Sequence, residues 1–205
     1  MKKRWLAAVI LLSCAVGASI SYHFWDIPLA YCFRGLDQRI VDLFEIITQA
    51  GDSLWYFILL IPLYLLMRFL WENEKGSART LFLLLTVTVS GLLNVLIKWF
   101  AGRNRPVNLF ESESFGFDFF SIHYLHESTS FPSGHTVTAF ALATALGFMF
   151  PRFRWFALLA AALVAASRVV ITAHYLSDVI AGAAVGVVCC LGLKYMFDRY
   201  HIELF

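Results

Sequence analysis

Residues 80–106 read "TLFLLLTVTVSGLLNVLIKWFAGRNRP", an apolar run that breaks off into Lys98, Arg103 and Arg105. A helix needs roughly 20 mostly apolar residues to cross the hydrocarbon core of a bilayer. Residues 80–100 supply them, with Lys98 as the only charge near the end. Working outward, comparable stretches lie at 5–22, 54–71, 136–150, 155–171 and 179–197. The one at 136–150 is short and gains a turn if its helix begins at Ser133. The expected fold is therefore all-α: an integral membrane protein of about six transmembrane helices, in one domain over 1–205.

Composition agrees. The chain is 60% hydrophobic and 15% charged, with a mean hydropathy of +0.72. That is far from the soluble balance, and lipid is the solvent that suits it. A net charge of +2 gives no support to nucleic-acid binding. Cys14, Cys32, Cys189 and Cys190 lack metal or redox spacing and read as packing residues. The start "MKKRWLAAVILLSCAVGAS" resembles a secretory signal. Its apolar stretch continues to Tyr22, and its removal would leave an odd number of crossings, so a retained span is expected.

With a cytoplasmic N-terminus, ten of the 16 Lys and Arg fall at inner ends and both termini are cytoplasmic. Two outer segments are long. In residues 23–53, Leu36, Ile40, Leu43, Phe44 and Ile47 recur at helical spacing, which predicts an amphipathic interfacial helix between the first two spans. In residues 101–132, acids mix with the aromatic run "FGFDFFSIHYL", suited to the headgroup layer.

Ionisable groups within spans point to function, and the outer ends of spans three to six collect them. Lys98 and Arg105 suit phosphate oxygens, or else snorkel to headgroups. Arg103 reads as an interfacial anchor. Ser133 and Gly134 open a helix whose free N–H groups form an anion site, or Ser133 is an ordinary N-cap. His174 and Asp178 stand i,i+4 and share a face if helical. The carboxylate then fixes one imidazole nitrogen and aims the other outward, or Asp178 caps the last span. Arg168 is too deep to snorkel and needs an anion or a wet cavity. Ser167 beside it reads as a helix-packing residue.

Three stretches, "KWFAGRNRP" (98–106), "PSGH" (132–135) and "SRVVITAHYLSD" (167–178), resemble in order and spacing the three-part signature of the type 2 phosphatidic acid phosphatase superfamily. The resemblance implies a metal-independent lipid phosphatase working through a phosphohistidine, with no cofactor. His174 would be the nucleophile, Asp178 its orienting partner and His135 the general acid. Lys98, Arg105, Arg168, Ser133 and the Gly134 backbone would bind the phosphoryl oxygens. Phosphoryl transfer mostly demands positioning and neutralised charge, which three fixed cations can provide.

The expected partner is a lipid phosphate in a bacterial inner membrane, attacked at the periplasmic face. Undecaprenyl diphosphate, phosphatidylglycerol phosphate, a lipid A phosphate and phosphatidic acid are all compatible. A lipid transporter or flippase would also carry charges in its spans, but should show repeat symmetry, and none is visible. A metal site from His123, His126, His135 and Asp178 lacks acidic support. The related vanadium haloperoxidases are soluble, against the run of apolar spans.

Overall fold

A computed structural model describes residues 2–120, 125–202 and 204. Helix α1 (Lys2–Phe24) is followed by α2 (Asp26–Arg34) and α3 (Gln38–Thr48). Asp37 starts α3 by accepting the Arg39 N–H at 2.8 Å. A 3-10 turn (Gln49–Gly51) leads into α4 (Ser53–Leu65), which finishes in a π-helical turn at Leu66–Leu70. The Asn73 side chain accepts the Gly76 N–H at 2.8 Å and caps α5 (Glu74–Ala101). Pro106 occupies the first turn of the short α6 (Pro106–Ser112), where its missing N–H costs nothing. Then come α7 (Gly134–Met149), α8 (Arg154–Val170) and α9 (Leu176–Arg199). Among the described residues there is no β-strand beyond one isolated bridge, Arg103 to Phe117.

Helix α7 lies at the centre, against α9, α8 and α5; α1 covers α9, α4 covers α5, and α3 lies on α8. The polarity is reversed relative to a soluble bundle. Leu12, Leu59, Phe69, Trp155 and Phe156 stand exposed, while Thr86, Ser90, Ser133, Thr136 and Ser167 are buried. In lipid there is no hydrophobic drive between helices, so small residues and close contact do the joining. A Cβ at Gly182 would stand 2.8 Å from the Ser133 carbonyl oxygen, and one at Gly186 would collide with the Val137 carbonyl. These two glycines, one turn apart, let α9 lie directly on the first half of α7. The buried hydroxyls of Thr86 and Ser90 bond back to the carbonyls of Phe82 and Thr86, both at 2.7 Å.

The all-α membrane fold expected from the sequence is the one observed. Among the described residues, five helical stretches are long and apolar enough to cross a bilayer: Ala7–Phe24, Gln38–Leu70, Glu74–Ala101, Pro151–Val170 and Leu176–Arg199. Residues 134–149 form a shorter apolar helix of 16 residues. At 1.5 Å per residue it covers about 24 Å, less than the ~30 Å core. Irregular backbone at such depth is tolerated only inside protein, and Ser130, Pro132 and Ser133, just ahead of α7, are indeed buried. Residues 23–53 hold two helices where one was expected. The amphipathic α3 half-buries Val41, Phe44 and Ile47 and fully buries Thr48, on the side that meets α8.

Candidate active site

Three cations converge from three elements. Lys98, in the last turn of α5, donates to the Thr129 carbonyl and to that of Ser130 at 3.4 Å. Arg105, just before α6, donates through Nε to the His126 carbonyl at 2.8 Å and through Nη1 to the Ala173 carbonyl at 3.1 Å. Arg168, in the last turn of α8, donates through Nη1 to the Thr48 hydroxyl at 2.8 Å. Among the described residues, none of the three is within ion-pair distance of a carboxylate. Neutral oxygens orient them. Arg168 Nε is buried and has no hydrogen-bond partner among the described residues. A buried donor left unpaired is expensive, and an anion in the hollow would satisfy it.

The imidazole of His174 is buried beside these cations, its Nδ1 at 3.6 Å from Asp178 Oδ2. The pair does not share a helical face, as their spacing suggested. His174 sits in the turn before α9, and its backbone N–H is held by the Arg168 carbonyl at 3.1 Å. Asp178 lies in the first turn of α9 and reaches back, accepting the Tyr175 N–H at 2.9 Å. One carboxylate thus caps α9 and also stands beside the imidazole, the two placements that the sequence allowed to coexist. Ser130, absent from the sequence reading, joins them: its hydroxyl donates to Asp178 Oδ2 at 2.6 Å and lies 3.4 Å from His174 Nδ1. Burial is the main force holding His174 well below the ordinary imidazole value, opposed by Asp178 and assisted by Arg105 and Lys98. It is therefore neutral at neutral pH, with Nδ1 turned to the carboxylate.

Arg103 is no interfacial anchor. It is fully buried, pairing with Asp178 and, at 2.6 Å, with Asp26 in α2. Rings of Tyr175, Phe117, Tyr22 and Phe115 surround its guanidinium carbon at 4.5, 4.9, 5.1 and 5.6 Å. Asp26 in turn accepts from the hydroxyls of Ser21, at 2.8 Å, and Ser177, and from the Ser177 N–H at 3.0 Å. Arg103 compensates the charge of Asp178 from behind, so that His174 meets a fixed carboxylate.

Ser133 precedes α7 in extended conformation, but its hydroxyl makes no capping bond; it accepts from Thr136 Oγ1 at 3.0 Å. Its N–H donates to the Asp178 carbonyl at 3.1 Å, which ties the start of α7 to that of α9. Gly134, His135 and Thr136 open the helix, so their N–H groups have no partner within it. His135 feels the charges of Arg168, Arg105 and Lys98 and lines a cleft of about 350 Å³ with Gly134, Asn94 and Asp52. All eight residues singled out for the site thus belong to one connected cluster.

His126, on the rim, is pushed below the usual imidazole range, by Arg105 first and burial second. Among the described residues no group of three or more His, Cys, Asp or Glu could hold a metal ion; His123 lies outside them. Thr48 ends α3, Asp26 starts α2 and Ser130 stands three residues before Ser133; of the three only Asp26, an acid beside the end of the first span, carried any signal.

Known proteins resemble this chain in sequence and fold. Two curated relatives are named lipid A 1-phosphatase. The protein from Rhizobium etli is 35% identical, over 89% of this chain and 81% of its own. That from Rhizobium johnstonii is 34% identical, over 96% and 82%. Among solved structures, a PAP2-type phosphatidylglycerolphosphate phosphatase from Bacillus subtilis superposes with a TM-score of 0.70 at 22% identity, covering 97% of this chain and 98% of that one. Aquifex aeolicus LpxE superposes with a TM-score of 0.62 at 25% identity, covering 85% and 98%. The family model for the PAP2 superfamily matches residues 79–202, the region that carries all three motif stretches, and the chain belongs to that superfamily.

Proposed function

We propose that this membrane protein is a lipid phosphatase that cleaves a phosphomonoester or diphosphate of a lipid through a phosphohistidine, without a metal. Arg168 Nε carries the reading: among the described residues it is a buried donor without a hydrogen-bond partner, beside two further cations that form no ion pair with a carboxylate. In the first step His174 Nε2 attacks phosphorus and forms the P–N bond. The P–O bond to the lipid breaks, and His135 gives its proton to the departing oxygen. Lys98, Arg105, Arg168, the Ser133 hydroxyl and the Gly134 N–H bind the phosphoryl oxygens, whose charge they are placed to stabilise. In the second step His135 takes a proton from water, the hydroxide oxygen bonds to phosphorus, and the P–N bond breaks. Phosphate leaves, and His174 is neutral again.

The relatives favour a lipid A-type phosphate as substrate, and the positive-inside bias favours a periplasmic site in a bacterial inner membrane with both termini cytoplasmic. Helix α1 belongs to the working protein, since its last turn supplies Ser21 to Asp26 and Tyr22 to the Arg103 enclosure. A reporter fused after Phe205 should read cytoplasmic. The decisive measurement is phosphate release in detergent. His174→Ala should abolish it, and His135→Ala should lower it by about 10³-fold. Orthovanadate should inhibit and EDTA should not; substantial turnover by the His174 variant overturns the mechanism.

A further inference from the structure

The cleft at His135 extends beyond the phosphate-binding cations, between α4, α5 and α7. Near the outer end of α5 its walls carry Asp52, Ser53 and Asn94; two turns further along α5 they are formed by Val87 and, from α4, Phe57. A headgroup fits the first part and a chain the second.

Asn94 is the anomaly in this wall. It stands one turn before Lys98, on the same face of α5, and is only 5% exposed, yet its Oδ1 has no hydrogen-bond partner among the described residues. The other buried polar groups of the same helix are satisfied: Thr86 and Ser90 by carbonyls of their own helix, Lys98 by those of residues 129 and 130. An unpaired amide oxygen at this depth is costly. The amide also borders Gly134, where a Cβ would come within 3.3 Å of Asn94 Nδ2, immediately beside His135.

Resting on the phosphatase reading, we propose that this cleft is the leaving-group subsite and that Asn94 is its specificity-determining residue. Its Oδ1 accepts an N–H or O–H carried next to the carbon that bears the phosphate ester. An acceptor gains nothing from phosphoryl oxygens, which carry no hydrogen when ionised, so its partner belongs to the departing half of the substrate. Diacylglycerol and isoprenoid leaving groups have no donor there. An N-acylated amino sugar phosphorylated at its anomeric carbon has one. A phosphatidylglycerol leaving group carries an O–H there, so the preferred class is a lipid phosphate whose departing half bears a hydrogen-bond donor on the carbon next to the ester.

The test compares two substrates in detergent micelles: a 2-N-acyl glucosamine 1-phosphate lipid, and phosphatidic acid. Asn94→Leu should lower kcat/KM by about 10-fold or more on the first and by less than about threefold on the second. An equal loss on both, or no loss on either, overturns the proposal. A substrate-side version needs no variant: methylating the amide nitrogen should cost the wild-type protein a similar factor, and an unchanged rate overturns it too. If the wild type releases phosphate from neither lipid, the phosphatase reading itself fails and the subsite falls with it.

Discussion

Arg103 and Arg168 are the same residue type, both buried near one end of the bundle, and their surroundings are opposite. Arg103 is closed off by two carboxylates and four aromatic rings. Arg168 has one hydroxyl, no carboxylate among the described residues, and a donor left over. The first has its counter-charge built into the fold. The second is left to find it in a ligand. Burial alone does not separate a structural cation from a working one; the presence of a fixed anion does.

The sharpest way to break this contrast is to remove each charge in turn. Arg168→Met should lower kcat/KM by about 10³-fold, as expected for losing a cation on the transferring phosphoryl group. Its thermal unfolding in detergent should be unchanged or move up, because an unpaired buried charge is removed. Arg103→Met should behave the other way round and destabilise by about 3–5 kcal/mol, since Asp26 and Asp178 are left buried without their cation. Equal unfolding temperatures for the two variants would erase the distinction.

Much of the site was legible in the sequence because its parts have fixed local spacing: Lys98 to Arg105, Ser133 to His135, Arg168 to His174 to Asp178. Hydropathy located the helices for the same reason, since the signal is continuous along the chain. Arg103 was misread because the partner that explains it, Asp26, is separated from it by 77 positions. The link between His174 and Asp178 was legible as proximity but not as geometry, because i,i+4 spacing fits a turn capped by a carboxylate as well as a helical face. Ser130 had no pattern at all: a lone serine in a polar loop gives no hint that it will bridge an imidazole and a carboxylate.

A smaller effect sharpens that last point. Ser130→Ala removes one hydrogen bond to a charged acceptor, which contributes about 1.5–3 kcal/mol. If that bond serves to aim Asp178, kcat should fall by about 10-fold with KM little changed; a rise in KM alone would instead make Ser130 a substrate contact. The smallest expected effect is a displacement of the pH profile. Attack requires neutral His174, and burial lowers its proton affinity, so the neutral form persists to lower pH. The acid limb of kcat/KM assigned to it should lie below the ordinary imidazole value of about 6.5; a limb at or above that value would contradict the burial of this ring.

The glycine pair on α9 has a mechanical consequence. With Gly182 and Gly186 against the backbone of α7, and the Ser133 N–H bound to the Asp178 carbonyl, the proposed anion cradle and the anchor of the proposed nucleophile form a single jaw. The opposing jaw, from Thr48 through the 3-10 turn to α4, is joined to it by the Thr48–Arg168 bond and by side-chain contact at Gly51. The groups that the proposed chemistry needs in line are thus fixed to one another by backbone contact, and they meet the facing side through the Thr48–Arg168 side-chain bond.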